Sequence, residues 1–306
     1  MSTSTPTTRL KAICCIVASA FGFALMGMFV RLADFHGEAI SAFQKGFFRN
    51  VVAAVIAFAM FLRSDAPSAR ECYVRLSPRG RLVLLLRATF GTVGIFANFY
   101  AISHIPLCDA LMLNKMAPFF TIVFTWLFIG ERISLRQCLC VLGALVGVGL
   151  VVRPGFEHLP LLPAAAGLLG GLSAGAAYAC VRELGILKAD GRFIVLFFSV
   201  FSCFAALPFM AVDFVPMNFA QVAILIGAGA SAALGQFGIT AAYRLDEPRK
   251  IAVFDYTNVI FAAILGCIFL EQSAPDAITL LGFAVIVAMA LLVNLRTRSQ
   301  SEGEAK

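Results

Sequence analysis

Between Lys11 and Leu295 the chain is a succession of apolar runs, each long enough to cross a bilayer and each closed by a short charged or Pro-containing break. A helix crossing the hydrocarbon core needs about 20 mostly apolar residues. By that measure the chain holds ten spans, at roughly 11–32, 40–62, 82–103, 107–129, 134–152, 161–182, 193–212, 219–243, 250–270 and 276–295. Only 13% of the 306 residues are charged against 60% apolar, with a mean hydropathy of +0.91, too little charge to cover a soluble protein of this length. The expected fold is therefore an all-α polytopic membrane protein. The polar tail MSTSTPTTRLK leads into the first span with no small-residue cleavage site, so that span reads as a helix and not as a removed signal peptide.

The chain also repeats itself. Pro118 to Val152 reads as an apolar span, a Gly-Glu-Arg break and a second span, and the same pattern returns from Asn258. Glu131 and Glu271 stand at the two breaks, 140 residues apart, and Leu142-Gly143 reappears as Leu281-Gly282. Repetition on this scale points to two related halves, here residues 1–155 and 156–306 with five spans each.

Most Lys and Arg lie in the short connections, where they report topology rather than affinity for nucleic acid. With the N-terminus inside, 18 of the 24 fall on inner segments and only Arg31 and Arg153 on outer ones. Both termini are thus expected in the cytoplasm. Five is odd, so the second half must enter the membrane from the opposite side to the first. Inverted repeats of this kind form secondary transporters that rock around a site near the midplane.

The two copies resemble the paired repeats of the EamA branch of the drug/metabolite transporter superfamily. The residues that carry the likeness are PFFTIVFTWLFIGE with LGALVGVGLVV, FDYTNVIFAAILGCIFLE with LGFAVIVAMALLV, and the segment from Arg87 to Pro118 with its FYA, IPL and DA elements. The resemblance implies a ten-helix transporter with a central cavity lined by both halves, in a bacterial inner (plasma) membrane. It leaves cargo and direction open.

An ionisable group inside a span costs roughly 2.5–3.5 kcal/mol to insert and by default faces the bundle interior. Lys45 and Arg49, four apart beside Gln44, share a face of the second span; Arg87 lies in the third, and Asp109 and Lys115 in the fourth. Asp255, in the ninth span, follows Lys115 by 140 residues, so the repeat sets opposite charges at equivalent positions. One reading pairs them off, Lys115 with Asp255 and Arg87 with Asp109; Lys45 snorkelling to the outer face is another. Four cations against two anions still leave positive charge over, and an unpaired buried cation is costly unless a bound anion relieves it. The expected substrate is therefore a small anionic or carboxylate-bearing metabolite, met first by Arg49 and Lys45, since Arg suits bidentate carboxylate or phosphate binding. Arg182 and Glu183 are expected to neutralise each other.

Asn98, Asn114, Tyr178, Gln236 and Tyr256 complete the expected substrate-binding set with the four cations and Asp255; Tyr100, Thr240, Tyr243 and Asn258 are further lining candidates. Asp109 and Asp255 are the expected proton-coupling groups, a role they would take in a proton-coupled exporter of amino acids or of cationic or aromatic drugs, the competing substrate reading. Small-residue pairs such as Gly143 with Gly147 and Gly171 with Gly175 allow close helix packing or a homodimer contact. Glu131 and Glu271 are expected to tether their turns. No HExxH, GxSxG, P-loop or Gly-rich dinucleotide turn is present, and the nine Cys form no CxxC, so neither an enzyme nor a metal or other cofactor is expected. The partners are a small-molecule substrate and the bilayer.

Overall fold

The computed structural model describes residues 6–62, 68–130, 135–152, 160–212, 214–246, 251–271 and 275–295. Glu131 lies outside the described residues, as do Arg63, Arg132, Arg153, Arg249, Lys250 and the basic residues after Leu295.

Every described element is helical. The first half holds α1 (Pro6–Leu32), a 3-10 turn (Ala33–Phe35), α2 (Ala42–Leu62), α3 (Ala69–Arg75), α4 (Pro78–His104), α5 (Leu107–Asn114), α6 (Ala117–Ile129) and α7 (Leu135–Val152). The second holds α8 (Leu161–Ile186), α9 (Gly191–Val212), α10 (Phe219–Leu245), a 3-10 turn (Ala252–Tyr256), α11 (Thr257–Phe269) and α12 (Ala277–Leu295). Seven described stretches are long and apolar enough to cross a membrane, and two shorter apolar helices cover Phe254–Phe269 and Ala277–Met289. Large apolar side chains such as Phe58, Leu82, Trp126, Leu127 and Phe204 point outward over this surface, where a bilayer would cover them.

Side-chain caps fix several helix starts. Ser77 accepts the Gly80 N–H at 3.1 Å with Pro78 in the first turn of α4, and Asn218 with Gln221 forms a capping box on α10. The short α3 has its own capping box, Ser68 with Glu71, inside the polar, Arg-rich connection between α2 and α4. At the other end of the fourth span, Gly130 closes α6 in the left-handed conformation at φ 78°, which costs glycine nothing. Glu271, just past α11, adopts the same left-handed region at φ 51°.

The helices pack in cross-half pairs: α1 on α10, α4 on α8, α2 on α9, and α7 on α12. α6 lies on α8, and α11 lies on α1. One close crossing is at Gly22, where a Cβ would stand 2.8 Å from both Gly235 N and Ser231 O. No side chain fits there. Three apolar clusters result among the described residues, one with Met26, Phe99, Leu111 and Met116, a second with Leu84, Phe193, Ile239 and Tyr243, and a small third with Ala33, Ile40 and Leu225.

Candidate functional site

The fourth span is not continuous. Pro118, in the first turn of α6, has no N–H to give to the carbonyl four residues back, that of Asn114. α5 ends at that residue. The backbone at the break is not left bare: the Lys115 carbonyl accepts the Tyr256 hydroxyl at 2.9 Å. Tyr256 itself ends the 3-10 turn that interrupts the ninth span. Non-helical backbone at membrane depth is tolerated where it is buried in protein or lines a cavity, and both breaks adjoin one.

That cavity is lined from α1, α2, α4, α5, α6, α8, α9, α10 and the α11 region. It offers about 80 Å3 to the centres of water-sized groups, and one water needs roughly 10–15 Å3 by that measure. In this conformation it therefore holds a handful of waters or a small polar group. Its polar wall comprises Arg49, Arg87, Asn98, Asn114, Lys115, Tyr178, Gln236, Asp255 and Asn258. Phe23, Met26, Phe99, Leu111 and Phe198 supply most of the apolar wall.

Charge is unevenly distributed across it. At one end Lys115 Nζ donates to Asp255 Oδ2 at 2.7 Å, a buried pair that neutralises itself. Beyond it stand Arg49 and Arg87, 2% and 1% exposed. Arg87 lies over the Phe198 ring at 4.1 Å from its centroid, and Arg49 approaches the same ring at 5.7 Å. Arg49 Nη1 donates to the Asn50 side-chain oxygen at 2.6 Å. Among the described residues neither guanidinium has a carboxylate within ion-pair distance, and the Nε of each is buried without a partner. Cation–π contact with one shared phenyl ring offsets part of the desolvation cost but leaves both charges in place.

Lys45 stands elsewhere. Its ammonium donates to Asp34 Oδ2 at 2.7 Å and to Ser103 Oγ at 2.6 Å, with no exposed surface, outside the cavity. Asp34 stands in the 3-10 turn just after α1, past the end of the first span, where a charge carries no insertion cost to mark it. The surplus cations are Arg49 and Arg87, not Arg49 and Lys45. Asp109 lies in the first turn of α5, is not among the cavity residues, and is not ion-paired with Arg87. Glu183 is held by Arg79 Nε at 2.7 Å and not by Arg182, because adjacent helical residues do not face one another.

Of the polar side chains singled out by sequence, Tyr256 and Tyr243 are buried beside the cavity without lining it; Tyr243 packs edge-on to Tyr178. Thr240 accepts from Gln236 Nε2 at 3.5 Å. Tyr100 packs against His104 at the far end of α4. Phe198 had no sequence signal, being one phenylalanine among thirty.

Comparison with known proteins adds four results. The model of the EamA-like transporter family matches residues 10–153. The chain is 31% identical over 283 residues to the pseudopaline exporter CntI of Pseudomonas aeruginosa, spanning 92% of this chain and 95% of that protein. It is 26% identical to human solute carrier family 35 member G1, over 92% of this chain and 78% of that one. A solved crystal structure at 18% identity superposes with a TM-score of 0.67, covering 95% of this chain and 99% of its own, and so shares the fold.

Proposed function

This chain belongs to the EamA-like transporter family, and from that premise we propose that it is a secondary transporter moving a small anionic or carboxylate-bearing metabolite by alternating access. It is a multi-pass membrane protein of a transporter family, not an enzyme. The observation that carries the substrate reading is the pair of buried guanidiniums, Arg49 and Arg87, that line one cavity and have no ion-paired acid among the described residues. A bound carboxylate or phosphate would complete both, and Arg forks are built for that geometry.

Two features support alternation between inverted five-helix halves, 1–155 and 156–306. The packing partners exchange under the repeat: α1 lies on α10 as α4 lies on α8, and α11 lies on α1 as α6 lies on α8. The two interrupted spans meet at equivalent positions through Lys115 and Asp255. In this reading ten spans cross the inner membrane with both termini cytoplasmic, as the distribution of Lys and Arg supports. Export is the favoured direction because a relative at 31% identity is named as an exporter. Asp255, a proton-coupling candidate, lies in that contact between the halves.

The test is a thermal-shift screen of the purified protein against dicarboxylates, nucleotides, amino acids and cationic drugs, followed by transport in proteoliposomes with and without a pH gradient. Stabilisation by anions, lost on Arg49→Gln and on Arg87→Gln, supports the reading. Stabilisation by cationic drugs alone overturns it.

A further inference from the structure

The cavity that holds the two guanidiniums is also rich in acceptors. Asp255 commits only Oδ2 to Lys115; its Oδ1 is buried with no donor. Asn258 uses its NH2 to donate to the Ala20 carbonyl at 2.7 Å, which fixes the amide orientation and leaves Oδ1 an acceptor without a donor. The two residues are three apart, one turn along the interrupted ninth span, and both line the cavity. Asn98 Oδ1, on α4, is a third buried acceptor without a donor on the same cavity. Buried polar atoms in native proteins are almost always partnered, so three bare oxygens on one cavity call for a donor from outside.

We infer, resting on the anion reading above, that the substrate is a zwitterion: a carboxylate or phosphate that meets Arg49 and Arg87, and on the same molecule an ammonium that meets Asp255, Asn258 and Asn98. Charge limits the choice further. Lys115 and Asp255 cancel, so the cavity keeps the two Arg charges, and a substrate with net positive charge is repelled. An ammonium supplies three donors, enough for the three oxygens, and it must sit away from the Arg pole. The small volume of the cavity makes a short molecule, or the short head of a longer one, the first occupant.

The experiment uses the full-length protein in detergent and the amino acids as probes, each offered in three forms: the free zwitterion, the N-acetyl derivative that keeps the carboxylate, and the methyl ester that keeps the ammonium. Apparent affinities are read from thermal-shift titrations. The inference expects at least one zwitterion to bind and its N-acetyl form to bind about tenfold to a hundredfold more weakly, the loss of charge-assisted bonds to the ammonium. In Asn258→Ala and Asn98→Ala that gap should narrow while the methyl ester remains a poor ligand. If N-acetyl forms or simple dicarboxylates bind as well as zwitterions, the inference is overturned and the anion reading stands. If methyl esters bind best, both are overturned. Absence of binding by all three forms also overturns the zwitterion, and the anion reading is then decided by the dicarboxylates and nucleotides.

Discussion

Lys115 Nζ stands 2.7 Å from Asp255 Oδ2, and each residue sits where its own helix is interrupted. The pair thus ties the break in one half of the chain to the break in the other, 140 residues away. Both groups are nearly out of solvent, and removing one partner of such a pair strands a buried charge, at a cost of about 3–5 kcal/mol. Lys115→Ala and Asp255→Ala should each lower the thermal unfolding midpoint sharply. The double variant Lys115→Met with Asp255→Leu should recover most of the loss, because an apolar pair of similar volume needs no desolvation. Unfolding of the single and double variants in detergent checks this; a double variant no more stable than either single one refutes the pairing.

Arg49 and Lys45 look alike in sequence, four residues apart on one helix, but their surroundings predict opposite outcomes. Lys45→Gln leaves Asp34 and Ser103 without their cation, so stability should fall by about 3–5 kcal/mol while the anion response survives. Arg49→Gln removes a charge that has no counter-ion, so stability should hold or rise while the anion response disappears. Measuring the midpoint with and without anion for both variants separates the two roles.

The contrast also marks what could be read from the chain alone. The apolar runs and the polar residues of the cavity were legible because insertion cost makes every intramembrane charge conspicuous. The 140-residue offset even pointed to Lys115 and Asp255. What could not be read was the partner of Lys45, since Asp34 lies just past a span end where charge is unremarkable, and side-chain reach across the bundle has no sequence signature. The break at Lys115 was foreshadowed by Pro118; the one before Thr257 has no proline and was not. The Ser68-Ala-Arg-Glu71 start of α3 carries a capping-box pattern in the sequence, the one signal of a helix in an otherwise polar, Arg-rich connection.

Gly22 and Gly149 should respond oppositely to the same change. A methyl group on Gly22 would meet the backbone of α10 at 2.8 Å, and backbone cannot swing aside. Gly22→Ala therefore forces α1 and α10 apart, with a loss of about 1–3 kcal/mol or more. At Gly149 a Cβ meets nothing within 4 Å, so Gly149→Ala should be neutral or gain about 0.5–1 kcal/mol from helix propensity. Monodisperse yield and unfolding midpoint report both; equal behaviour of the two variants would contradict the close crossing.

Gly91 offers the sharpest test of the cationic end of the cavity, because it touches the site without contributing a polar atom. It lies one turn after Arg87 on α4, and the Arg87 side chain folds back across it. A Cβ at this position would collide with Arg87 Nη1 and stand 2.7 Å from the Phe198 ring. Gly91→Ala must therefore push the guanidinium off its place over that ring. Overpacking costs about 1–3 kcal/mol and is offset in part by the helix preference for Ala, so the variant should fold. Its anion response should fall by about tenfold, the equivalent of roughly 1.4 kcal/mol, and Phe198→Leu, which makes room for the methyl, should restore part of it. Anion titrations by thermal shift on wild type, Gly91→Ala and the double variant decide the point. An unchanged response in Gly91→Ala would mean that the position of Arg87 over Phe198 has no part in binding.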